Sequence, residues 1–155
     1  LVNVNNFLKK YFEEHLINNK NIKIFLQTDN NINLVLLNKD KFLQVILNLI
    51  DNSISIAENE TEILITSNKK NESFVEIKIY DQGKGIDLKD KNKIFERFYT
   101  DRIYDRDQHS GLGLSISYEI INSFKGSIEL TESDNLDFRG ACFLIKLPLK
   151  SNDNH

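Results

Sequence analysis

The stretch Val75-Glu-Ile-Lys-Ile-Tyr-Asp81-Gln-Gly83-Lys-Gly85-Ile86-Asp87 decides how the 155-residue chain is read. Val75, Ile77 and Ile79 alternate with Glu76, Lys78 and Tyr80, the period of two that marks a strand with one buried face. That strand ends on an acid followed by two glycines two apart. Glycines at such a point allow positive φ and let backbone come close to a ligand. A carboxylate turned into the bend can accept a hydrogen bond from an exocyclic amine. Taken alone, a tight turn with a solvated aspartate reads the same way, and the third glycine of the dinucleotide fingerprint is absent.

Upstream, Asn38 is placed to cap a long helix running to about Ala57, with Phe42, Leu43, Ile46, Leu47, Ile50 and Ile54 as its apolar stripe. Asn48 and Asn52 lie four apart beside that stripe, so both amides share one face at the edge of the core. Partly buried amides need partners, which a ligand or hydrated Mg²⁺ supplies and which solvent supplies equally well. Before this helix come a helix from about Asn3 to His15, a strand at Ile22, Ile24 and Leu26, and a turn at Asn30-Asn31. Asn33 to Leu37 reads as the returning strand. Ile63 and Ile65 mark one more strand ahead of the opening stretch.

Downstream, Gln82 to Ser110 is a charged, largely aperiodic span with one short helix expected near Lys91 to Phe98; loops of this length are functional or disordered. Ser110-Gly111-Leu112-Gly113-Leu114-Ser115 then runs into a helix with Ile116, Ile120, Ile121 and Phe124 on one face. A helix N-terminus offers free N–H groups and partial positive charge, and glycines there admit phosphate. It is not a Walker A loop, since no Gly-Lys-Ser/Thr follows. Strands near Ser127 to Thr131 and Ala141 to Leu147 close the domain, and 151–155 reads as a disordered tail. Strands and helices in this mixed order predict an α+β two-layer sandwich.

Composition narrows the classes. Lys and Arg number 20 against 23 Asp and Glu, a net charge of -3, which gives no basic field for nucleic acid. Apolar runs fall well short of a membrane span. One cysteine, Cys142, excludes an internal disulfide and a Cys-rich zinc site. The absent methionine reads as a processed or excised piece.

In this order the three constellations resemble the ATP-binding catalytic domain of sensor histidine kinases, in the superfamily shared with Hsp90, gyrase and MutL ATPases. Asn48 to Asn52 look like the asparagine box, Asp81 to Ile86 the first glycine box, Phe95-Glu-Arg97-Phe98 the phenylalanine box and Ser110 to Leu114 the second glycine box. Phe98 to Arg102 and Asn52 to Ile56 are similar to envelope-stress sensor kinases of alphaproteobacteria. The resemblance covers residues 1–150 and implies a mixed, mainly antiparallel sheet covered on one face by helices, with an ATP lid at about 89–109. It implies that Asp81 accepts from the adenine amine, that Gly83 and Gly85 floor the base site with Ile86 on its face, and that Ser110, Gly111, Leu112, Gly113 and Leu114 surround the phosphates. Asn52 with Asn48 would hold Mg²⁺. Where ATPase members carry a glutamate, Asn48 cannot serve as general base for water, which favours phosphoryl transfer over hydrolysis.

The resemblance further implies a histidine substrate on a dimerisation domain of the same polypeptide, a response regulator as the next acceptor, a membrane-anchored homodimeric parent and a cytoplasmic, monomeric fragment. A serine kinase of the anti-sigma type shares the nucleotide boxes. Ser55 and Thr100, standing where many members carry basic residues, motivate a third possibility, a nucleotide-binding regulatory module without catalysis.

Overall fold

Two residues, Val2–Asn3, form β1 and pair antiparallel with β3, Leu34–Val35, before and after a helix α1, Val4–Glu14, and a strand β2, Ile22–Thr28. The long helix α2 spans Lys39–Ile56, followed by β4, Thr61–Lys69, and β5, Phe74–Tyr80; α3 is Gly113–Ser123, β6 Ser127–Thr131 and β7 Cys142–Pro148. This computed structural model describes residues 1–14, 22–31, 33–56, 60–97 and 112–150.

The main sheet has five strands in the order β2-β4-β5-β7-β6. Among the described strands only β2 and β4 are parallel, Ile24 lying opposite Ile63, as required when a helix such as α2 carries the chain across between them. The other pairings are antiparallel, with Ile77 between Ser67 and Ile145, and Leu130 opposite Phe143. The anticipated mixed, mainly antiparallel sheet is therefore observed. Alternation sends Ile63, Ile65, Val75, Ile77, Ile79, Phe143, Ile145 and Leu147 to one face, all buried, where they meet Phe42, Val45, Ile46, Leu49 and Ile50 of α2 and Ile121 of α3. Leu64, Tyr80, Phe138 and Cys142 form a small second cluster on the opposite face.

Several local expectations shift. The segment 33–37 is a strand only at Leu34–Val35, and it pairs with β1, not with β2. Asp29 is the cause: its Oδ1 accepts from the Asn31 N–H at 3.1 Å and from Asn33 Nδ2 at 3.3 Å, which bends the chain away from a hairpin. The stripe of α2 is also turned. Val45 and Leu49 are fully buried while Leu43 and Leu47 are half-buried, because the apolar arc is wider than the face the sheet takes and periodicity alone does not choose its centre. The cap of α2 is as read, Asn38 Oδ1 accepting from the Lys41 N–H at 3.0 Å. In place of one helix near 91–98 there are two 3-10 turns, Leu88–Asp90 and Lys93–Phe95, the first capped by Asp87. With only Ile94 and Phe95 apolar among the described residues 91–97, this segment has no stripe to sustain a longer helix.

Polar groups fasten α1 to the sheet. Buried Asn5 donates through Nδ2 to Asp29 Oδ1 at 2.7 Å and accepts through Oδ1 from the Ser67 hydroxyl at 2.7 Å. Burial pushes the Asp29 carboxyl up, but hydrogen bonds from Asn31, the Lys69 N–H and Asn5 outweigh it and hold the group below its ordinary value. Asn5→Ala is expected to destabilise the chain by about 1–2 kcal/mol, the scale of buried acceptors left without a donor. Urea melts of the two proteins check this, and unchanged stability would assign the network no net worth.

Near the far end of β5 the chain closes on itself: Leu149 N donates to Ser73 O at 2.8 Å, and Lys150 N to Leu34 O at 2.9 Å.

Candidate nucleotide site

Asp81 directly continues β5, and the sheet delivers it beneath α2. Its backbone is locked by Gly140 N to Asp81 O at 3.0 Å and by Asp81 N to Ala141 O at 3.1 Å. Its side chain is 2% exposed. Oδ1 accepts from the Gly83 N–H at 3.0 Å and from the Ala141 N–H at 2.9 Å, whereas Oδ2 is buried with no hydrogen-bond partner among the described residues. Both N–H donors thus converge on one oxygen, while the nearby Ser53 hydroxyl donates to Leu49 O at 3.1 Å and not to Oδ2. Burial raises the pKa of this carboxyl, against the lowering effect of the Gly83 and Ala141 N–H groups and of the Ser53 side chain on α2.

Gly85 has φ +78, a left-handed bend that a side chain at this position would strain. It turns the chain so that Ile86 comes back, half-buried, against the main core. Gly83 needs no unusual φ; its part is the N–H given to Asp81.

Asn48 joins α2 to the start of α3. Its Nδ2 donates to Gly113 O at 3.2 Å and to the Ser117 hydroxyl at 3.3 Å, so among the described residues its carbonyl oxygen is the atom left without a donor. One turn on, Asn52 Nδ2 is buried and has no partner among the described residues. The first turn of α3 has no side-chain cap and no acid, and its first residues Gly113 and Leu114 are half-buried. Such an N-terminus presents N–H donors and positive charge. Ser110 and Gly111 lie outside the described residues, as does most of the expected lid. Its described start is pinned: Phe95 packs on Tyr118 at 5.6 Å between ring centroids, and Arg97 pairs with Glu119 at 2.8 Å.

Sequence reasoning placed Asn48, Asn52, Asp81, Gly83, Gly85, Ile86, Leu112, Gly113 and Leu114, and the structure groups them around the ends of β5, α2 and α3. It missed four contributors. Gly140 and Ala141 supply backbone contacts to Asp81, Ser53 acts on its charge, and Ser117 holds Asn48. Ser53 and Ser117 had a signal, each being a small polar residue on a helix face that is otherwise buried; backbone donors leave none.

The chain belongs to the histidine kinase-, DNA gyrase B- and HSP90-like ATPase family, which it matches over residues 37–151. Sensor protein ChvG of Rhizobium meliloti is 37% identical over 68% of this chain, which spans 19% of that protein's length. The nucleotide-free catalytic domain of the histidine kinase ThkA is 30% identical, with a TM-score of 0.76 over 96% of this chain and 93% of that one. ThkA has also been solved in complex with the response regulator TrrA; that chain is 26% identical, with a TM-score of 0.75 over 99% of this chain and 42% of that one. The protein is accordingly an ATP-binding catalytic domain of the sensor histidine kinase type. No described helix is long and apolar enough to cross a membrane.

Proposed function

We propose that residues 1–150 deliver the γ-phosphoryl of ATP to a histidine on a dimerisation domain of the same polypeptide. The observation that carries this reading is the Asp81 carboxylate with Oδ2 buried and unpaired. A buried charged acceptor without a donor is costly, and a ligand amine removes that cost. Adenine supplies such an amine and guanine offers a carbonyl at that place, so the same atom binds and selects. Gly83 and Gly85 floor the base site, and Ile86 gives it an apolar wall. The N–H groups at Gly111, Leu112 and Gly113, flanked by Ser110 and Leu114, receive the phosphates.

Magnesium takes oxygen ligands, and the donor chemistry here fits it: Asn48 Nδ2 is engaged by Gly113 and Ser117, which leaves Oδ1 for a cation, and Asn52 adds a second amide four residues on. Asn48 and Asn52 would hold the cation, which would supply neutralisation of phosphate charge. The chain's own part is positioning: α2 holds the amides, α3 aims its N-terminus, and Asp81 fixes the base. With an amide at position 48, no side chain there can take a proton from water, and transfer to a protein side chain is favoured. Response regulators enter as the next acceptor by analogy with ThkA and TrrA. The parent is a membrane-anchored homodimer with this domain on the cytoplasmic side.

The test is trans-phosphorylation. This chain, labelled Mg-ATP and a matching dimerisation fragment should yield acid-labile, alkali-stable phosphate on histidine. Serine phosphate would replace the proposal with an anti-sigma-type kinase, and tight ATP binding without transfer with a regulatory module.

A further inference from the structure

The loop 132–141 leaves β6, crosses the sheet face away from the helices and returns into β7. It is held there by packing and by hydrogen bonds, among them one from Gln82 Nε2 to the Asp137 carbonyl at 3.2 Å. Phe138 is buried with Leu64, Tyr80 and Cys142. The Ser133 hydroxyl donates to the Phe138 carbonyl and closes the loop on itself. Asp134 accepts from the Tyr80 hydroxyl at 2.7 Å through Oδ1 and from Lys78 Nζ at 2.8 Å through Oδ2.

Lys78 and Tyr80 are two apart on β5 and therefore project from the same face. Asp81 is the next residue on that strand. The loop is thus tied to β5 twice: by side chains at Lys78 and Tyr80, and by backbone at Asp81, where Gly140 and Ala141 form the three hydrogen bonds described above. The second tie is the one that matters for the ligand. The two oxygens of a carboxylate are chemically equivalent, so the one that faces a base is decided by whatever holds the other. Here that role falls to the N–H groups of Gly83 and Ala141, and Ala141 is placed by the loop.

We propose that Asp134, through Tyr80 and Lys78, is a positioning residue for base recognition. It fixes the 132–141 loop so that the Ala141 N–H occupies Oδ1 and presents Oδ2 to the adenine amine. This inference rests on the reading of Asp81 as the base-selecting group. The Asp134 side chain is 63% exposed, so its ion pair adds little to stability. Its effect is on orientation: recognition groups need their supporting contacts to hold them within about 0.5 Å of the productive geometry.

The experiment compares Mg-ATP with the triphosphate of purine riboside, which lacks the 6-amino group, by calorimetry on the whole 155-residue chain. Tyr80→Phe removes one hydroxyl and keeps the ring against Phe138, so folding is retained; Asp134→Ala removes the whole tie. In each variant the preference for ATP over the analogue should fall by about fivefold, the scale of one misaligned hydrogen bond, with little change in the melting temperature of Tyr80→Phe. A parallel loss of affinity for both nucleotides, or an unchanged preference in both variants, overturns the positioning role while the reading of Asp81 stands. A wild-type chain that binds the two nucleotides equally overturns both.

Discussion

Asp81→Asn is expected to weaken ATP binding by about 1–3 kcal/mol, or roughly five- to 150-fold, while leaving the empty domain no less stable at neutral pH. The variant keeps Oδ1 for the Gly83 and Ala141 N–H groups, whose distances of 3.0 and 2.9 Å need no adjustment. Its NH₂ replaces Oδ2 and meets the adenine amine donor to donor. Stability moves the other way because burial holds the native carboxyl above its ordinary pKa. The folded chain then binds a proton at pH values where the unfolded chain has released it, so this group's contribution to stability falls as pH rises from the ordinary carboxylate range through the raised folded value. Asparagine has no such slope. Denaturant melts at about pH 4 and about pH 7 should show the variant gaining on wild type as pH rises. Unchanged ATP affinity would remove Asp81 from base recognition, and a gap that closes with rising pH would contradict its burial as a charged group.

Gly140→Ala should instead lower stability and affinity together. A Cβ at this position would overlap Asp81 Oδ1 and stand 2.6 Å from Gly83 N and 2.8 Å from Asp81 O. These obstacles are backbone and a buried carboxylate, so no flexible side-chain end can swing aside. Overpacking of this kind costs about 1–3 kcal/mol, and it falls on the atoms that orient Asp81. Gly83→Ala is the internal control: its Cβ would stand 3.3 Å from Asp81 Oδ1, a contact that a small shift relieves. Melts and ATP titrations of the pair give the order. A milder loss in Gly140→Ala than in Gly83→Ala would refute the close approach.

The legible parts of the sequence were those where one residue announces its own environment. The alternation of Val75, Ile77 and Ile79 defined a strand with one buried face, and all three are buried. Asp81 alone fits a solvated turn equally well, and Asn48 and Asn52, four apart, also fit two solvated amides; the order of the three constellations together is what singles these residues out. What stayed hidden depends on partners distant in sequence. The parallel pairing of β2 with β4 follows from the crossover of α2, and the short pairing of β3 with β1 from the bend that Asp29 imposes. Neither leaves a periodic trace. Gly140 and Ala141 contribute backbone alone, about 60 residues away from the acid they orient. Their composition, Gly-Ala-Cys-Phe, looked like an ordinary closing strand.

The contacts at Leu34 have a mechanical meaning. Val2 and Asn3 enter beside it, and Lys150 leaves on its carbonyl, while Leu149 rests on Ser73 at the start of β5. Asp81 is at the other end of the same strand, about 27 Å from Ser73 at the usual rise of about 3.4 Å per residue. Both terminal segments of the described chain thus meet at Leu34, and a strain applied to either is applied at the root of the strand that carries Asp81.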